Sequence, residues 1–264
     1  MTSPPKNGGP EDAKASGAKA SGAPRGPITD TMKKPLIKRF YKTANAGEGG
    51  QILLDGRAVK TPKKRALRLP TNACAEAVAA EWAAQGAEIN PGSMPLTRFA
   101  NTAIDAVADT LDAVAADIVA YAARDLLCYR AEPLHDLARL QAAKWDPVLD
   151  WAKTALHAPF RAVAGIMPID QPAAALTAIA AAIEPHEAFR LTALHVMTTL
   201  TGSALLALAH ARGFLKCDQA WAAAHVDEDY QIALWGEDDD AGDRRARRAA
   251  EFHAASRFLA MLRS

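Results

Sequence analysis

Residues 121–151 read YAARDLLCYRAEPLHDLARLQAAKWDPVLDW, and this stretch decides how the helical part of the chain is divided. Upstream of it, apolar residues recur at positions 111, 114, 118 and 121, a spacing that predicts an amphipathic helix. Pro133 then predicts a break, because proline fixes φ and has no backbone N–H to donate. Leucines at positions 134, 137 and 140 share one stripe and predict the next helix.

The end of the same stretch predicts a further helix start. Asp146 is a favourable N-cap residue, and Pro147 suits the first helical position, because its missing N–H would have no intrahelical partner there. Trp145 and Trp151 give the segment a large apolar surface to bury. The stretch carries no pattern typical of catalysis, and we interpret it as a helical hinge in the core.

Composition restricts the class of protein. Half of the 264 residues are hydrophobic, which is enough to bury a core in one domain or two. The formal net charge is +1, so there is no global basic field that would attract nucleic acid or an anionic membrane. The three cysteines are odd in number and form no C-x-x-C pair, which is typical of a reducing compartment.

Three regions follow one another along the chain. Residues 1–34 are rich in Gly, Pro, Ala, Ser and Lys, and we expect a disordered tail, because such a segment cannot offset its ordering entropy. Residues 35–95 are predicted to form a β-rich N-terminal domain, and residues 96–264 an α-helical domain. The predicted fold class is therefore α+β, with a small antiparallel sheet region followed by a larger all-α region.

Strand signals cluster in the N-terminal region. Residues 39–42 predict a first strand, and Asp55 and Gly56 predict the turn of a hairpin within residues 51–60. Residues 66–69 alternate as a further strand. The many lysines and arginines here are typical of charged strand edges, which prevent unwanted strand pairing. The alternative is a basic pocket that binds anions.

Helix boundaries can also be predicted. Thr71 is the expected N-cap of a helix that runs to about Gln85. Residues 191–209 are almost long enough to cross a bilayer, but their threonines, histidine and small residues favour a buried central helix. Asp218 is the expected N-cap of one helix that continues to about Trp235.

The usual catalytic signatures are missing from the sequence. It contains no G-x-x-x-x-G-K-[ST] phosphate loop, no G-x-S-x-G nucleophile motif and no H-E-x-x-H zinc motif. His225 beside Asp227 and Glu228 comes nearest to a metal cluster, but no histidine shows ligand spacing with another histidine or a cysteine. We therefore predict no catalytic residue, no cofactor and no metal.

An acidic stretch near the C-terminus is the best indication of a binding surface. On a helix, Glu228, Gln231 and Trp235 fall at i, i+3 and i+7, so a carboxylate, an amide and an aromatic ring share one stripe. Such a mixture suits a protein–protein interface. The alternative is a solvated acidic helix that is neutralised by the arginines after it.

Eight short motifs in order resemble one protein family. They are KRFY at 38–41, LDGR at 54–57 with KTP at 60–62, AEW at 80–82, MPLT at 94–97, DLLCYR at 125–130, WDP at 145–147, TGS at 201–203, and DEDYQ at 227–231 with WGED at 235–238. In this order they resemble the assembly chaperones of the ATP synthase catalytic head that bind its alpha subunit. The resemblance covers roughly residues 38–262.

The resemblance implies a small β-rich domain before a larger helical domain and a role without catalysis. It implies that the chain holds the unassembled alpha subunit until the beta subunit replaces it. The missing phosphate loop predicts no nucleotide binding, the near-zero net charge predicts no nucleic acid, and the polar residues within 191–209 predict no membrane insertion. Glu228 best matches an acidic residue that is important in the family, and Asp227, Gln231 and Trp235 are predicted to bind the partner with it. A bacterial cytoplasmic protein is expected, or a mitochondrial matrix protein in a eukaryote. An enzyme of unknown type that uses the basic pocket and a general adaptor are the alternatives.

Overall fold

The computed structural model describes residues 36–263, and the predicted tail at 1–34 lies outside them. Small antiparallel sheets come first. One pairs β1 with β5, and the other has the order β2-β3-β4. The strands are β1 (Ile37–Lys38), β2 (Ala44–Ala46), β3 (Ile52–Leu54), β4 (Arg57–Ala58) and β5 (Glu88–Ile89).

Ten helices make up most of the remaining described chain. They are α1 (Asn72–Ala83), α2 (Pro95–Asp105), α3 (Leu111–Ala123), α4 (Asp136–Ala155), α5 (Ala173–Ile183), α6 (Ala188–Thr201), α7 (Ala204–Ala211), α8 (Cys217–Ala224), α9 (Val226–Trp235) and α10 (Asp239–Met261). The predicted α+β class is confirmed. Within the helical part, β6 (Tyr129–Arg130) and β7 (Val163–Ala164) add one short parallel pair. The predicted boundary between residues 95 and 96 stays a prediction.

The predicted hairpin is confirmed, because β3 and β4 are joined by Asp55 and Gly56. Both turn residues have positive φ, 47° and 76°, as a type I′ turn requires. The predicted strand at 66–69 forms two isolated bridges rather than a strand. The predicted strand at 39–42 is wrong, and β1 and β2 lie on either side of it. The chain curls there, since the Arg39 side chain donates to the carbonyl oxygens of Tyr41 and Lys42, each at 3.1 Å.

The hydrophobic core is centred on α6 and α7, which pack against each other and against α2, α3, α4 and α10. The predicted helix at 191–209 is buried, but it is divided in two at Gly202, whose φ of 67° suits a residue without a side chain. Ser203 then caps α7 by accepting from Leu206 N at 3.0 Å. No helix within residues 36–263 is both long and apolar enough to cross a membrane.

A fully buried carboxylate, Asp125, holds this break in place. It accepts hydrogen bonds from Ser203 Oγ at 2.6 Å, Leu205 N at 3.0 Å and Leu127 N at 3.1 Å. Burial raises the pKa of the Asp125 carboxyl to about 6. Asp125 therefore connects the end of α3 to the start of α7.

The predicted helix start at Asp146 and Pro147 is wrong, because α4 continues through both residues. Trp145 and Val148 are completely buried on either side of Pro147, and the indole N–H of Trp145 donates to the Ala223 carbonyl of α8 at 2.7 Å. We attribute the continuation of the helix to this packing, which outweighs the hydrogen bond that Pro147 cannot make. Asp146 instead forms an ion pair with Arg130 at 2.8 Å.

Candidate partner-binding surface

The acidic segment forms a short helix of its own, α9, which follows α8 after a break at His225. The predicted single helix with Asp218 as its N-cap is wrong, because α8 begins at Cys217 and Asp218 lies in its first turn. His225 ends α8. Its ring is buried against the ring of Trp221 at a centroid distance of 3.8 Å, and Nδ1–H donates to the Trp221 carbonyl at 2.8 Å.

Asp227 faces the interior of the protein. Its Oδ1 accepts a hydrogen bond from Nε2 of Gln141, a buried residue of α4, at 2.8 Å. The other end of the Gln141 amide accepts from Ala131 N, also at 2.8 Å. The carboxylate of Asp227 thus joins α9 to α4 and supports the surface of α9. That Asp227 also binds the partner stays a prediction.

Two further side chains of α9 have partners within the chain. Arg245 of α10 forms an ion pair with Asp229, and the rings of Tyr230 and His135 meet edge-on at 5.4 Å. His135 is also the N-cap of α4, with Nδ1 accepting from Leu137 N at 3.2 Å. These contacts fix the orientation of α9 relative to α4 and α10.

Glu228, Gln231 and Trp235 line one groove of about 280 Å³ between α9 and the beginning of α10. The stripe predicted from their spacing is therefore present as a continuous surface. The Glu228 side chain is 45% exposed, and Trp235 is 78% exposed at the end of the helix. Leu234 beside it is 55% exposed, a feature that sequence reasoning missed because an apolar residue in a helix is usually expected inside.

The carboxylate of Glu228 has no strong partner among residues 36–263. The nearest cationic candidate is His225, whose Nε2 lies 3.8 Å from Glu228 Oε2, beyond hydrogen-bond distance. Burial lowers the pKa of His225, so its ring is neutral at pH 7. Arg245, one of the arginines that follow this helix, forms an ion pair with Asp229 of α9 and none with Glu228. Within residues 36–263, Glu228 therefore has no ion pair with a lysine or arginine, and it lines the same groove as the exposed ring of Trp235.

The structure brings together one set of metal-ligand types that sequence spacing did not reveal. Donor atoms of Cys217, Asp218 and His253 lie within 4.8 Å of one another. His253 Nε2 and Asp218 Oδ1 are 2.8 Å apart, and burial raises the pKa of the Cys217 thiol. We interpret this group as an ordinary His–Asp pair beside a protonated thiol, because His253 and Asp218 are hydrogen-bonded to each other.

Comparison with known proteins gives a consistent result. The sequence model of the ATP12 chaperone protein family matches residues 38–153. A relative from Schizosaccharomyces pombe, named as the mitochondrial protein atp12, is 23% identical over 225 residues, which cover 80% of this chain and 77% of that protein.

Solved structures extend the similarity over nearly all of the described chain. Atp12 from Paracoccus denitrificans is 43% identical with a TM-score of 0.80, and the match covers 86% of this chain and 98% of that one. A chaperone candidate from Agrobacterium tumefaciens is 46% identical with a TM-score of 0.83, covering 87% of this chain and 88% of that one.

Proposed function

This chain belongs to the ATP12 chaperone family, and from that membership we propose that it binds the unassembled alpha subunit of the F1 ATP synthase. By covering the interface of alpha, it prevents aggregation until the beta subunit takes its place. The proposed compartment is the bacterial cytoplasm, or the mitochondrial matrix in a eukaryote. The S. pombe relative, which is named as a mitochondrial protein, supports the second alternative. The chain is a chaperone and not an enzyme, as its relatives are named.

The observation that carries the proposal is the groove that joins Glu228, Gln231 and Trp235. A large exposed aromatic ring supplies apolar contact area, and it is the residue type most often found at the energetic centre of an interface. The unpaired carboxylate of Glu228 adds selectivity, because it is attracted to a basic or amide-rich surface and repelled by an acidic one. Release needs no nucleotide hydrolysis, since competition by the beta subunit is sufficient.

Replacing Glu228 by lysine tests the proposal. We expect the affinity for the alpha subunit to fall by about 2–5 kcal/mol, because a charge at a desolvated contact then meets a like charge. This corresponds to a loss of tens to thousands of fold. The unfolding free energy should change by no more than about 1 kcal/mol, since Glu228 is half exposed and loses only a favourable position in the first turn of α9. Quantitative pull-down of the alpha subunit and thermal unfolding are the measurements.

Glu76 offers a matched control. It is an exposed carboxylate on α1 without an ion pair among residues 36–263, so Glu76→Lys makes the same change of charge elsewhere. We expect the control to retain binding. Equal losses in the two variants would mean that only the net charge matters, and intact binding by Glu228→Lys would contradict the proposed contact.

A further inference from the structure

The N-terminal sheet region carries an excess of basic residues. Residues 36–70 contain nine lysines and arginines and two acidic residues, whereas the whole chain has 31 basic and 30 acidic residues. An excess of this size within a chain of nearly zero net charge concentrates positive potential on one part of the surface. The contacts of these side chains decide which of the cations are available to bind a ligand.

Several of the cations are already engaged within the fold. Arg65 forms a double hydrogen bond with Asp109, at 3.1 and 2.6 Å. Lys63 Nζ donates to the carbonyl of Asp105 at 2.6 Å. The Arg39 guanidinium donates to backbone carbonyl oxygens and lies over the Tyr41 ring at 4.7 Å. Lys63 and Arg65 thereby connect the sheet region to residues 105–109, and Arg39 bonds within the segment between β1 and β2.

Two of the remaining cations line the same cleft. Arg57 and Lys60 are exposed residues at the rim of a cleft of about 620 Å³ between the β3–β4 hairpin and α1. Neither has an ion-pair partner among residues 36–263. Asp55 also lines the cleft, but its carboxylate accepts from the backbone N–H groups of Lys42 at 3.0 Å and Thr43 at 2.8 Å. It forms no ion pair with either cation.

The wall of the cleft is aromatic. Phe40 is 70% exposed and meets Tyr41 edge-on at 5.4 Å, and Tyr41 in turn meets Trp82 edge-on at 5.7 Å. Tyr41 is fixed by its hydroxyl, which donates to the Trp82 carbonyl at 2.7 Å. A rigid aromatic wall with one exposed ring offers apolar contact at little cost in conformational entropy.

We propose that this cleft binds an extended polypeptide segment in which a carboxylate lies next to an aliphatic or aromatic side chain. The carboxylate pairs with Arg57 and Lys60, and the apolar side chain packs against Phe40. The chain's own residues 1–35 do not fit this description, because they contain six lysines and arginines and three acidic residues. A nucleic acid is disfavoured in this cleft, since the two cations that line it form no row that could follow successive phosphates.

This site lies on different elements from the α9 groove, and its existence does not depend on the identity of the partner. The test therefore uses short immobilised peptides in four classes: acidic apolar, basic apolar, neutral apolar and acidic polar. The full chain is the probe. We expect acidic apolar peptides to bind at least about tenfold more tightly than each other class, because only they satisfy both features of the cleft.

Three variants complete the experiment. Arg57→Glu with Lys60→Glu, and separately Phe40→Ser, should each weaken binding of the acidic apolar class by at least about tenfold. A matched control, Lys144→Glu with Lys153→Glu, makes the same change of charge at exposed positions on α4 and should retain binding. Melting temperatures verify that each variant is folded, and the Phe40 change avoids altering the charge.

The proposal is overturned if no class binds saturably, if acidic polar peptides bind equally well, or if the control loses as much affinity as the cleft variants. Tighter binding of a labelled single-stranded DNA than of the acidic apolar peptides would identify a nucleic-acid surface and would also overturn it. None of these results bears on the pull-down of the alpha subunit through Glu228, so a failure here is distinguishable from a failure of the proposed function.

Discussion

Asp125 and Glu228 are both carboxylates beside a break between two helices, and their surroundings are opposite. Asp125 is completely buried at the break between α6 and α7, with three hydrogen-bond donors directed at it. Glu228 lies just after the break between α8 and α9, is half exposed and has no comparable donors among residues 36–263. A carboxylate whose donors come from its own chain serves the fold, whereas one that the fold leaves unpaired is available to a partner.

Asp125→Ala should have the largest effect on stability. The change leaves Ser203 Oγ–H and two backbone N–H groups without an acceptor in a buried place, and each such group costs about 1–3 kcal/mol. We expect the free energy of unfolding to fall by roughly 3–5 kcal/mol in urea denaturation. A loss below about 1 kcal/mol would mean that water replaces the carboxylate and that Asp125 contributes little more to stability than Glu228 does.

The contribution of Asp125 to stability should also depend on pH. The Asp125 pKa is about 6 in the folded protein and about 3.9 in an unfolded chain, so between these values the folded state holds a proton that the unfolded state has lost. Its contribution to stability therefore falls as the pH rises through about 6, by up to about 3 kcal/mol. Relative to Asp125→Asn, the wild type should gain melting temperature between about pH 7 and about pH 5. A constant difference would contradict the raised pKa.

Asp227→Ala should have an intermediate effect on stability. It extends the comparison to two adjacent carboxylates of α9, Asp227 and Glu228. The variant leaves the buried Gln141 amide N–H without its acceptor, and we expect a loss of about 1–2 kcal/mol in unfolding free energy. Binding of the alpha subunit should also weaken, because α9 is no longer fastened to α4. The adjacent Glu228→Gln serves as the control and should leave stability almost unchanged.

Trp235→Ser should have the smallest effect on stability. The ring is 78% exposed, so we expect the unfolding free energy to change by less than about 0.5 kcal/mol. The affinity for the alpha subunit, in contrast, should fall by about 2 kcal/mol or more if the ring is an anchor of the interface. A loss of unfolding free energy above about 1 kcal/mol would mean that the Trp235 ring packs within the fold, unlike the exposed Glu228.

Local signals made part of this fold predictable. Thr71 caps α1 as its sequence context predicts, accepting from Cys74 N at 3.2 Å, because a cap depends on residues three positions away. The stripe from Glu228 to Trp235 follows from helical spacing alone. The Asp55–Gly56 turn is equally local, since two residues of positive φ determine it.

What could not be predicted depends on contacts between distant residues. The three partners of Asp125 include Ser203, 78 positions away, and Asp227 meets Gln141 across 86 positions. Pro147 misled the prediction for the same reason, since the buried packing of Trp145 lies outside any local pattern. Helical spacing therefore predicts which side chains share a stripe with a carboxylate. Whether that carboxylate bonds within the fold or is free to bind a partner depends on tertiary contacts.

The surface of α9 depends on a side chain of another helix, Gln141 of α4. It is buried in α4, accepts from Ala131 N at one end and donates to Asp227 at the other. A random screen for variants that fail to support assembly should therefore recover changes at Gln141 although this side chain is buried. In a genetic map of the interface such a position would be counted as part of the contact. Second-site changes within α9 that restore its alignment would identify it as a remote support instead.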